Sequence, residues 1–111
     1  MSQLIKNVNH AEVFEVAQLV EYEAGKVNSR TLSQTPTCKM TVFAIDEGEG
    51  MSSHAAGGDA MAFVLEGTAQ ITLEGVPHVI EAGQALVMTK GAPHTVLGVT
   101  PFKMLLVVVF E

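Results

Sequence analysis

Along this chain, apolar and polar residues fall in short runs punctuated by Gly, Pro and paired polar residues, the spacing of an all-β sandwich or barrel. Residues 20–23 alternate apolar with charged positions, 24–26 read as a turn, and 27–32 are expected to pair back as the second arm of a hairpin. After the polar break at 33–37, the run Cys38–Ile45 is apolar or β-branched at most positions, which predicts a central strand covered on both faces. Residues 46–50 read as a turn, and 52–59 form a small, polar, Gly-rich stretch that can bend sharply or let backbone approach a pocket. Strands are predicted at 60–65, 69–73, 78–80, 85–88, 95–99 and 102–110, with breaks at Glu66-Gly67, Glu74-Gly75, Ala82-Gly83, 90–93 and Thr100-Pro101. Residues 1–18 fit either a short helix or an extended segment. So many short antiparallel strands leave open edges unless the sheet curls on itself, so a barrel or jelly roll is expected.

Composition adds limits. With 111 residues, 48% of them apolar, the chain holds one core, expected over 19–111 behind the N-terminal segment. Six Lys and Arg against a net charge of -6 form no basic stripe, so nucleic acid is not an expected partner and the acidic surface serves solubility. The start of the chain lacks the pattern of a secretory signal, and the longest apolar run, 104–110, is too short to cross a bilayer. A cytoplasmic protein with no membrane partner is the expectation. The single cysteine, Cys38, has no partner for an internal disulfide and reads as a buried, small hydrophobe in a buried or half-buried strand.

One framework of glycines and histidines stands out. Gly48, His54 and Gly67 are spaced as in G-x5-H-x-H-x3-E-x6-G, and Gly83, Gly91 and His94 as in G-x5-P-x-G-x2-H-x3-N, fifteen residues further on. On these residues, and on the texture of 58–67 and 90–94, the chain resembles the small single-domain bacterial members of the cupin superfamily, over about 20–110. The resemblance implies an antiparallel double-stranded β-helix, a jelly-roll barrel with His54 and His94 meeting at its interior. It also implies what is missing: the family's second histidine falls on Ala56 and its glutamate on Ala60, so two of the four usual metal ligands are absent. Thr89 and Gly98 replace the second motif's proline and asparagine. Gly67, Gly75 and Gly83 are expected at tight strand connections with positive φ. Asp59 adjoins the vacant glutamate position: if Ala60 faces the pocket, strand alternation turns Asp59 away, toward a turn role, unless a bulge at Gly57-Gly58 rotates it inward as a substitute ligand.

Two imidazoles alone are a weak metal site. Halving the roughly 10 to 16 kcal/mol of a four-ligand structural zinc site leaves about 5 to 8 kcal/mol, a dissociation constant between roughly 0.2 mM and about 1 μM. The cofactor expectation is therefore none, or a weakly held divalent transition metal of the Zn, Ni or Cu class at His54 and His94. The leading functional expectation is a pocket for a small organic molecule in which His54 and His94 supply hydrogen bonds and adjustable charge, with Met61, Phe63 and Met88 as apolar lining. The alternative is a metal-dependent enzyme, an oxygenase or lyase on a small carboxylate or diketone, with the same two histidines as ligands. Metal-free acid-base catalysis lacks a carboxylate partner at the motif positions, and His10 and His78 are expected at the surface. A two-fold homodimer involving 19–32 is the expected assembly.

Overall fold

The computed structural model describes residues 3–111. Among them there is no α-helix, only one 3-10 turn at Val16–Leu19 and nine strands: β1 (Val27–Gln34), β2 (Cys38–Ile45), β3 (Gly50–His54), β4 (Asp59–Glu66), β5 (Thr68–Leu73), β6 (Val76–Glu81), β7 (Ala85–Met88), β8 (His94–Gly98) and β9 (Phe102–Val109). They form two antiparallel sheets, in the orders β1-β2-β9-β4-β7 and β3-β8-β5-β6. The inner faces share one core, built from Ile45, Val64, Met88, Phe102 and Met104 of the first sheet and Ile71 and Val96 of the second. The order follows from period-two alternation: on β4 the residues Ala60, Ala62 and Val64 are buried while Asp59 and Met61 are exposed. On β2, Val42 and Ala44 are buried on one face and Ile45 on the other, so this strand is covered on both sides.

Three local expectations change. Residues 20–23 are not a strand: β1 pairs instead with β2, so the hairpin turn is the polar break after Gln34. The turn at Ala24-Gly25 is present, but it feeds the chain into β1 rather than folding it back. Gly50–His54, read as turn and loop, is an edge strand, because pairing with β8 outweighs the weak β preference of Gly and Ser. β6 starts at Val76 and includes Pro77; it is an edge strand, where a missing N–H is tolerated.

Residues 3–19 lie across the outer face of the first sheet; residues 1 and 2 of the N-terminal segment lie outside the described residues. Val20, Leu32, Val42 and Ala44 are buried there with Val8, Val16 and Leu19 around them. A half-buried lysine pins it: Lys103 Nζ donates to the Ala17 carbonyl at 2.6 Å, lies 3.2 Å from the Glu66 carboxylate and sits 5.0 Å above the Tyr22 ring. Beyond this anchor the outer face stays open, with Val87, Met61 and Val107 in register across β7, β4 and β9.

Burial and, after it, the Glu66 carboxylate push the Tyr22 phenol up to about 12. The raised folded value favours the neutral phenol, so this contribution to stability is whole below pH 10 and fades as pH rises toward 12. Tyr22 is the only tyrosine and there is no tryptophan, so tyrosinate absorbance reads it directly. Its alkaline midpoint is expected near 12 and lower in Glu66→Gln; a native midpoint at the ordinary value of about 10 would contradict the contact.

Candidate functional site

The two histidines meet because a bulge re-aims one of them. In the β3–β8 ladder Gly50 pairs with Leu97 and Met51 with Val96, but the register then slips, so that His54 pairs with His94. Met51 and His54 are three positions apart and would face opposite sides of an unbroken strand. The extra residue at Ser52-Ser53 turns both inward. As directly opposed cross-strand partners, the two imidazoles lie edge to face, with centroids 4.3 Å apart and planes at 62°. His94 is buried, whereas His54 lies exposed at the rim.

Each ring is held the same way. His54 Nδ1 lies 3.0 Å from the Ser52 carbonyl and His94 Nδ1 lies 3.1 Å from the Ala92 carbonyl. A carbonyl oxygen only accepts, so Nδ1 donates in both bonds and Nε2 is the ring nitrogen left free to face a ligand. Among the described residues, no fully buried side-chain nitrogen or oxygen lacks a partner. The Nε2 of His94 therefore opens onto the space beside it.

That space is a cavity of about 310 Å³, at the small end of the roughly 300–1,000 Å³ of ligand pockets. One wall is the inner face of β2, where Lys39, Thr41 and Phe43 alternate with the outward residues Met40 and Val42. Leu106 and Val108 of β9 line the next wall, Met51 and the histidines the opposite one, and Ala56, Ala60 and Phe110 close the rest. Gly58, at the entry to β4, lets that strand pack against β9, since a Cβ there would overlap the Val109 carbonyl. A second cleft of about 380 Å³ lies outside the sheets, between residues 7–19 and Arg30, and contains neither histidine.

His54 and His94 thus line one cavity, but the apolar lining differs from expectation. Met61 is exposed on the outer face of β4, and Phe63, two positions on, shares that face, because Ala60 and Ala62 occupy the inner one. Met88 points inward but is packed in the core, opposite Ala60 in the β4–β7 ladder, and does not reach the cavity. Asp59 faces away, as alternation requires, and its carboxylate accepts the Lys90 N–H at 2.8 Å. His10 is exposed, with Nε2 2.7 Å from the Ile5 carbonyl, and His78 is half-buried on β6, away from the cavity.

The donor set does not fit a resident four-ligand metal. Ala56 and Ala60 present methyl groups where the motif carries a histidine and a glutamate, and among the described residues no three His, Cys, Asp or Glu side chains come together. Two basic nitrogens fixed by backbone carbonyls remain, able to accept hydrogen bonds from a bound molecule; the same anchoring is how metal-ligating histidines are held.

Two facing antiparallel sheets with a histidine pair opening on their shared interior define a double-stranded β-helix. The chain belongs to the cupin family: the family model described as a cupin domain matches residues 41–110. A conserved Streptococcus pyogenes protein of unknown function is 39% identical, with a TM-score of 0.96 over 99% of this chain and 96% of its own. A cupin superfamily protein from Desulfitobacterium hafniense is 25% identical, with a TM-score of 0.92 over 96% and 98%. A cupin 2 conserved barrel domain protein from Leptotrichia buccalis is 36% identical with a TM-score of 0.85; the match covers 86% of this chain and 47% of that one. No curated protein matches the chain. Among the described residues, no helix is long and apolar enough to cross a membrane.

Proposed function

We propose that this cupin binds a small organic molecule in the His54/His94 cavity without needing a resident metal. The observation that carries this reading is the juxtaposition of two carbonyl-anchored imidazoles with a mostly apolar cavity whose other two ligand positions are methyls. The apolar walls of Phe43, Leu106 and Val108 supply desolvation, and the two Nε2 atoms accept hydrogen bonds that set orientation. Among the described residues no carboxylate lines the cavity, so any proton transfer there would fall to the imidazoles and Lys39 rather than to a carboxylate–histidine pair.

A thermal-shift screen of small metabolites tests this. A true ligand at a hundred times its dissociation constant adds about 2.7 kcal/mol, roughly 10 °C in a domain of this size. The shift is expected to persist in chelator and to vanish in His94→Ala, which removes the buried ring and its bond to Ala92. A shift abolished by chelator would overturn the metal-free reading. It would favour the second one, a metal-dependent enzyme with His54 and His94 as ligands, which the two free Nε2 atoms support.

A further inference from the structure

The cavity inverts the charge of the molecule around it. The chain carries twelve Asp and Glu against six Lys and Arg. Yet none of the acids lines the cavity, and the one fully charged side chain there is Lys39. Lys39 reaches this position through strand parity: it shares the inner face of β2 with Thr41 and Phe43, and its cross-strand neighbour on β9 is the cavity residue Val108. Lys39 is exposed at the cavity mouth, and among the described residues it, like Lys6 and Arg30, makes no ion pair, whereas Lys26, Lys90 and Lys103 each lie near a glutamate; of the unpaired cations it is the one that lines the cavity. An unpaired cation beside an apolar cavity, in an acidic protein, is a waiting site for an anion.

Thr41 strengthens the case. The residue is 5% exposed. Its hydroxyl makes no side-chain hydrogen bond among the described residues, and no fully buried polar atom there is left without a partner. The hydroxyl therefore faces the cavity, two positions along β2 from Lys39 and beside it on the same wall. Two donors stand on the β2 side and two acceptors, the Nε2 atoms, on the β3–β8 side, with Phe43, Leu106 and Val108 between. A carboxylate accepts from the first pair, and a hydroxyl or amine of the same molecule donates to the second.

We infer that the ligand is a small carboxylate carrying a hydrogen-bond donor, its acid group held by Lys39 and Thr41 and its donor turned to His54 and His94. This rests on the pocket reading above and adds polarity and orientation to it.

The test compares 6-hydroxyhexanoate with its uncharged amide, titrated into protein carrying a labelled methionine methyl, with the Met51 signal as reporter. In the wild type the acid is expected to bind about tenfold tighter than the amide, the effect of one charge-assisted hydrogen bond at a solvent-accessible mouth. The gap closes in Lys39→Gln and survives in Lys39→Arg. Equal binding of acid and amide, or a gap unchanged in Lys39→Gln, overturns the charge assignment while leaving the pocket intact. Failure of both probes to move Met51 at millimolar concentration sinks the pocket reading and this one together.

Discussion

Gly67→Val is expected to destabilise the fold by about 2 to 6 kcal/mol, the sum of two separate effects. Gly67 joins β4 to β5, where the chain leaves one sheet for the other, with φ of 77°. A β-branched residue held there costs roughly 1 to 3 kcal/mol. A Cβ would also overlap the Pro101 carbonyl oxygen and come within 2.8 Å of the Phe102 Cα. Phe102 is fully buried, so the backbone at the start of β9 cannot yield without disturbing the core, a further 1 to 3 kcal/mol, roughly. Against a total stability of about 5 to 15 kcal/mol this is a large fraction, and the melting temperature should fall by at least about 8 °C. Gly75 is the control: its φ is 80°, but a Cβ there would meet nothing within 4 Å. Gly75→Val should therefore show the backbone effect alone, roughly 1 to 3 kcal/mol. Circular-dichroism melts that rank the two variants equally would remove the packing half of this account.

The same glycine shows why so much of the fold could be read from the chain. The motif glycines Gly67 and Gly83 and the turn glycine Gly75 all have positive φ, and turn residues that demand an unusual backbone are local signals. Cys38–Ile45 and Ala85–Met88 coincide with their predicted limits, because β-branched runs bounded by polar breaks are local too. β3 was not legible, since Gly50, Ser52 and Ser53 carry no strand preference and pair only because β8 lies alongside. The bulge that turns His54 inward depends equally on that partner. The outward placement of Met61 and Phe63, by contrast, follows from the alternation that sends Asp59 outward; applied along the whole of β4, it puts all three on one face. Lys39 and Thr41 are not legible as cavity residues in the sequence because β2 is covered on both faces, so hydrophobicity alone cannot say which parity faces inward. His94 shows the remaining gap: the motif located it, but its burial, and hence a cost of about 1 kcal/mol for losing the bond to Ala92 in His94→Ala, is visible only in the packed structure.

The sharpest test of what keeps this cavity short of a four-ligand metal site is to fill its two vacant positions. Ala56 and Ala60 both line the cavity that holds His54 and His94, so Ala56→His with Ala60→Glu places an imidazole and a carboxylate beside two nitrogens already fixed by their carbonyls. Without metal the double variant should be less stable than the parent by about 1 to 3 kcal/mol, because Ala60 is 2% exposed and a carboxyl there is desolvated without a partner. Zinc then supplies that partner. Two added ligands contribute about as much again as the two present, roughly 5 to 8 kcal/mol before strain, so affinity should rise by at least about a thousandfold. Zinc should accordingly raise the variant's melting temperature well above the parent's response at the same concentration, since metal bound only to the folded state stabilises it by mass action. Competition titration against a chromogenic chelator measures the gain. An increase of less than tenfold would mean that the Cβ atoms of residues 56 and 60 do not aim at the histidine pair, and the absence of metal ligands would no longer reduce to two missing side chains.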